Sequence, residues 1–198
     1  MTPHQREGAA HPHPPGLQPG PLARLITHDA GLPAQPMDLT LNPPHGVEPV
    51  RLGMTPDEAL AAVAPWGTPR LVPAQGRPPK RIFTAFREIR FTVLLEGSGE
   101  SVTAVELWWP GEGRTSSVRV LLGGDDVVTT PAEDLFRKAE ERGWTVDRTD
   151  PEYPFIPGVS LGFTRQTSQQ VPRTPQGLPL YVTSVLVGGE HYYDAQAR

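Results

Sequence analysis

Thr-Pro-x-Glu followed by an apolar helical pattern and then Gly is written twice in this chain, as GMTPDEALAAVAPWG (residues 53 to 67) and TTPAEDLFRKAEERGW (129 to 144). Each is a complete helix start. Thr55 suits the N-cap, Pro56 the first helical position, and Asp57 complements the helix dipole. Glu58, three residues past the cap, closes a capping box. Thr130, Pro131 and Glu133 repeat the arrangement. Leu60, Val63 and Ala64 share one face of the first helix, and Leu135, Phe136 and Ala139 supply the face of the second. Pro65 and Gly67 stop the first helix, and Gly143 is placed to end the second.

The two starts stand 75 positions apart, and so do Leu60 from Leu135 and Ala64 from Ala139. Downstream, VTAVEL (102 to 107) matches VTSVLV (182 to 187) at an offset of 80. An insertion within TSQQVPRTPQG reconciles the two offsets. Two matched blocks in one order lead us to expect tandem units, residues 37 to 112 and 113 to 198. The alternative is that two ordinary helix starts and two Val-rich strands happen to align.

Between the helices the pattern turns to strands. MDLTLN alternates and ends at the turn PPHG. RIFTAFREIRFTVLLE reads as one long strand with Phe91, Val93 and Leu95 on one side. GSG turns it, and SVTAVELWWP returns as a hairpin partner. SSVRVLL, GVSLGFT and LPLYVTSVLVGG are further strands. The expected fold class is therefore α+β: two α-β-β-β units with short capped helices on one face of antiparallel sheet.

Residues 1 to 36 differ from the rest, holding 8 of the 25 prolines and 4 of the 6 histidines. Only LARLI could bury anything, so the segment is expected to be a disordered tail. His4, His11 and His13 on such a tail would hold a metal only weakly, and no metal site is expected. Because protein-like patterning begins at Met37, that residue is an alternative start.

GVEPVRLGMTPDEALAAV resembles the opening of helix-plus-antiparallel-sheet modules of the BamE type. In tandem the arrangement resembles the architecture of the beta-lactamase inhibitory protein, whose concave sheet grips a partner. The ending YVTSVLVGGEHYYD is similar to that of uncharacterised bacterial proteins. The resemblance spans most of 46 to 194 and implies an inhibitor-like or immunity-like binding architecture. The chain lacks the lipidated Cys of the lipoproteins and a signal peptide, so the likeness concerns architecture.

Chemistry-bearing motifs are sparse. The formal net charge of −4 and the absence of clustered Lys and Arg argue against nucleic acid. No apolar run reaches membrane-spanning length, and without Cys there is no thiol nucleophile, disulfide or thiolate ligand. A cytoplasmic location is expected. His45 reads as an exposed turn residue. His191, in GGEHYYD, lies near Tyr192, Tyr193 and Asp194 but has no nucleophile to serve. Asp125 and Asp126 suit a turn, and Asp147, Asp150 and Glu152 do not follow the calcium-loop spacing. No catalytic residue, metal or cofactor is expected.

The adjacent Trp108 and Trp109 must point to opposite faces of their strand. Trp109 shares parity with Val105 and Leu107 and belongs to the core, which leaves Trp108 beside Glu106 on the other face. With Leu186 and Leu94 these residues form the candidate partner-binding patch, the partner being another protein. In the alternative, a loop or the N-terminal segment covers Trp108. The other readings are an enzyme or small-ligand carrier with its pocket between the halves, near Trp66, Trp144 and Tyr153, and a structural or assembly component. Mass spectrometry of tryptic peptides from the native protein tests the start at Met37: no peptide upstream of it is expected, and finding one overturns the idea.

Overall fold

The computed structural model describes residues 37 to 75, 80 to 114, 117 to 165 and 171 to 193. The tail assigned to 1 to 36 lies outside these residues. In chain order the elements are β1 (Met37–Asn42), β2 (Gly46–Val47), β3 (Val50–Arg51), α1 (Pro56–Val63), β4 (Arg70–Val72), β5 (Lys80–Phe86), β6 (Ile89–Leu95) and β7 (Ala104–Trp108). There follow β8 (Val118–Leu122), β9 (Asp125–Asp126), α2 (Ala132–Glu141), β10 (Phe155–Ile156), β11 (Leu161–Thr164) and β12 (Ser184–Gly188). The class is α+β. No helix among the described residues is long and apolar enough to cross a membrane.

Two sheets form. The larger has seven strands in the order β10-β11-β12-β7-β6-β5-β4, every neighbour antiparallel. The smaller has five, β3-β2-β1-β8-β9, with β1 and β8 parallel at its centre. The segments aligned in the sequence, 102 to 107 and 182 to 187, meet inside the larger sheet, where Val105 faces Val187 and Leu107 faces Val185. Val93, Val105 and Val187 form one continuous row across β6, β7 and β12. That row and its neighbours Phe91, Leu107 and Val185 are fully buried, in one core with Leu39, Val120, Val63 and Phe136. Phe136 of α2 meets Phe163 of β11 edge to face at 5.4 Å, fixing the helix against the sheet. Trp66 in the 3-10 turn after α1 meets Phe91 edge to face and packs on Phe86 at a tilt.

The stretch 81 to 96 is not one strand. It folds at Arg87–Glu88 into β5 and β6, with Arg87 at φ 55. Sixteen residues exceed the usual strand length, and the turn carries neither Gly nor Asn to announce it. The turn reverses parity: Ile82 and Thr84 share the buried face with Val93 and Phe91, so Arg81, Phe83 and Ala85 stand on the opposite face.

The two helix starts also differ. Thr55 accepts the Glu58 N–H, and the Glu58 carboxylate accepts the Thr55 N–H at 2.8 Å. These bonds hold the Glu58 carboxyl below its ordinary value. Thr130 and Glu133 form no such box: α2 takes Pro131 as its N-cap with no side-chain hydrogen bond. Two outside contacts account for this. Ala132 N–H donates to the Leu180 carbonyl, and Glu133 is drawn to Arg165 at 2.6 Å. Arg165 is only 2% exposed, and its Nε and a second guanidinium nitrogen donate to the Pro179 carbonyl. At the other end Lys138 and Arg142 both hold Asp125, at 2.5 and 2.6 Å, and Gly143 takes φ 84 past the last turn. Ala64, expected on the apolar face of α1, is exposed, and Ala59 takes its place in the core. Substituting the two threonines measures the asymmetry. Thr55→Ala is expected to cost about 1 kcal/mol of unfolding free energy, and Thr130→Ala to stay within about 0.5 kcal/mol. Urea denaturation reads both, and equal losses would refute the difference.

Candidate functional site

The second face of the seven-stranded sheet carries the candidate residues. Register places them in rows: Phe83, Thr92, Glu106, Leu186 and Gly162 form one, and Ala85, Arg90, Trp108, Ser184 and Thr164 the next. Leu94 stands beside Arg81 and Ala104 in a third. Trp108, Glu106, Leu94 and Leu186 therefore share one face, all half-buried, while Trp109 is 1% exposed on the other. The Trp109 indole N–H is buried there without a hydrogen-bond partner.

One end of this face is open and the other is covered. At the open end a groove of about 540 Å³ is lined by Arg70, Phe83, Arg90, Thr92, Glu106 and Trp108 among others. The Arg90 guanidinium lies 4.7 Å above the Trp108 ring, and that of Arg81 4.9 Å from the Phe83 ring. Both distances are within cation–π reach. At the covered end a cleft of about 310 Å³ lies among Glu106, Tyr153, Phe155, Leu186, Tyr192 and Tyr193. Glu106 is the common wall of both.

Tyr192 and Tyr193 follow β12 and turn back over the face instead of continuing the strand. Glycines make room for them. A Cβ at Gly162 would fall 1.9 Å from the Tyr193 hydroxyl, and one at Gly188 2.4 Å from Cγ of Tyr192. Tyr193 stacks on Phe155 at 5.1 Å, and the Tyr192 hydroxyl donates to Glu96 at 3.2 Å. Thr103 donates to the other Glu96 oxygen.

Electrostatics follow from burial. Burial raises the Glu106 carboxyl, and a hydrogen bond with the Ser184 hydroxyl offsets part of the effect. Burial, reinforced by the Glu96 carboxylate, pushes the Tyr192 phenol up to about 12. Tyr193 is raised too, again chiefly by burial. Neither phenol is poised to serve as a base near neutrality. The face offers stacked cations, aromatic surface and a desolvated carboxyl, which suits recognition.

The remaining candidates lie elsewhere. His45 and His191, distant in sequence, line one cleft of about 760 Å³ with Ser160 and Glu190. Both are exposed, and His191 takes φ 68. Asp194 lies outside the described residues. Asp126 accepts from the Val120 and Val128 N–H groups, Asp147 from that of Thr149, and Asp150 from that of Glu152. Among the described residues no three His, Asp or Glu are arranged to hold a metal. Trp66, Trp144 and Tyr153 do not converge: Trp66 packs on Phe86 and Phe91, Trp144 lies 6.0 Å from the Arg142 guanidinium, and Tyr153 lines the covered cleft.

Sequence reasoning did not single out Arg70, Arg81, Phe83 or Arg90 as binding groups; for Arg81 and Phe83 the undetected turn at Arg87 hid which side of β5 looks outward. The sequence reading seats Tyr192 and Tyr193 on the sheet as anchors, and what it leaves out is that they cover one end of the outer face. The signal for the cover was present as Gly162 and Gly188, glycines inside strand patterns, which mark close approach of another group. Comparison with protein-family models, curated proteins and solved structures finds no match to this chain.

Titration checks the tyrosine seats. Both phenols keep their protons to higher pH when folded than when unfolded, where the value is near 10. The stability they contribute is thus intact below about pH 10 and lost as pH rises through the folded values. Phenolate absorbance is expected to show Tyr192 ionising near 12. In Gly162→Ala the added Cβ displaces the Tyr193 ring, so its phenol should ionise at lower pH than in the wild type. An unchanged titration curve for that variant would contradict the placement.

Proposed function

We propose that the protein is a non-enzymatic binding module that recognises another protein through the open end of this sheet face. The observation that carries the reading is Trp108, half-buried under Arg90 on a sheet face that neither helix covers, with Phe83 in the same groove. An indole and a stacked guanidinium are the groups most often found as energetic anchors of interfaces. The likeness to BamE-type modules and to the beta-lactamase inhibitory protein supports a sheet face as the gripping surface. Immunity, inhibition or regulation of a partner is the role this suggests, in a cytoplasmic setting, to which a chain without cysteine is suited. A second reading, a small-ligand carrier, is favoured by one observation: the groove of about 540 Å³ is of ligand size.

Trp108→Ala tests the proposal. Cross-linking mass spectrometry of the tagged protein should place a captured protein against β6 and β7. The substitution should weaken that complex by about 2 kcal/mol or more, roughly thirtyfold. Arg119→Ala, on the smaller sheet where Arg119 pairs with Asp38, should leave it intact. A partner retained equally by wild type and Trp108→Ala would remove the face from the function.

A further inference from the structure

Resting on that reading, we propose that the partner presents an extended, carboxylate-rich segment, anchored by Arg70 and Arg90 with Arg81 beside them. Six of the described arginines, Arg114, Arg119, Arg137, Arg142, Arg148 and Arg165, are held in ion pairs elsewhere in the molecule. Among the described residues Arg70, Arg81 and Arg90 form no ion pair, although register puts all three on one face. Nε of Arg81 is buried with no hydrogen-bond partner among the described residues. The carboxylates of the same face are engaged elsewhere: Glu96 accepts from Thr103 and Tyr192, and Glu106 is bonded to Ser184. The Arg90 and Arg81 guanidinium groups lie over the Trp108 and Phe83 rings, and a guanidinium is the group that matches a carboxylate bidentately.

The open groove crosses β5, β6 and β7 from Phe83 to Trp108, two strand spacings or roughly 10 Å, the reach of about three extended residues. Binding at the sheet edge is disfavoured, because β4 offers only three residues between Pro69 and Pro73. A nucleic-acid strand would set its phosphates against Glu106 and Glu96 and against a formal net charge of −4.

Fluorescence anisotropy on the whole chain decides the matter, with three labelled peptides and a labelled oligothymidylate decamer. The first is a decapeptide alternating glutamate with leucine and phenylalanine; the second replaces its glutamates by glutamine, and the third by lysine. Wild type should bind the glutamate peptide about tenfold more tightly than the glutamine one, a preference that salt erodes. Arg70→Gln and Arg90→Gln should each reduce that binding about threefold to tenfold. The double variant Arg70→Glu/Arg90→Glu should prefer the lysine peptide. Equal affinity for the glutamate and glutamine peptides, up to about 1 mM, overturns the inference. So does unchanged binding in Arg90→Gln, or tighter binding of an oligothymidylate decamer. The two proposals fail separately. If Trp108→Ala still loses the captured partner while peptide charge makes no difference, the face stands and the carboxylate inference falls. If Trp108→Ala changes neither assay, both fall.

Discussion

The ladder between β7 and β12 is the constraint on which the rest of the molecule depends. It joins two stretches of chain separated by about eighty residues, and its register runs from Ser184 opposite Trp108 to Gly188 opposite Ala104. One face of that ladder, Val105 and Leu107 against Val187 and Val185, is the middle of the core. The other face, Glu106 against Leu186 and Trp108 against Ser184, is the middle of the candidate site. A slip of one residue would exchange the two, burying Glu106 and exposing valines, so the hydrophobic drive that sets the core also sets the site.

The covered and open halves of the outer face show how side chains of the sheet and its flanks tune access to it. Tyr192 and Tyr193 use the space that glycines leave at Gly162 and Gly188 and shield the β11–β12 end. Arginines stacked on Trp108 and Phe83 partly cover the β5–β7 end while keeping it charged. The border between these treatments runs through Glu106, whose burial raises its carboxyl.

Much of this was legible in the sequence. The class, both helices, the strand holding Trp108 and Trp109 and their opposite orientations follow from capping residues and alternation. Leu94, Glu106, Trp108 and Leu186 do share one face. What the sequence concealed was tertiary. The Thr130 and Glu133 start looks as good as the Thr55 and Glu58 start, yet a buried arginine 32 residues further on claims its glutamate. Local pattern has no means of showing such a competitor. The turn at Arg87 uses residues with no turn preference, and a single strand over 81 to 96 gives no sign that β5 and β6 have opposite parity. His45 and His191 meet in one cleft through chain topology alone.

That turn has a consequence for how the protein tolerates change. Surface connections usually accept insertions and deletions with little effect. The Arg87–Glu88 connection is two residues long and decides which side of β5 looks outward. A single residue gained or lost there must be absorbed locally, as a bulge. Otherwise β5 rolls over, bringing Ile82 and Thr84 to the surface and sending Arg81 and Phe83 inward. The length of this exposed hairpin is therefore held as tightly as any core position, and the constraint lies in its count of residues more than in their identity.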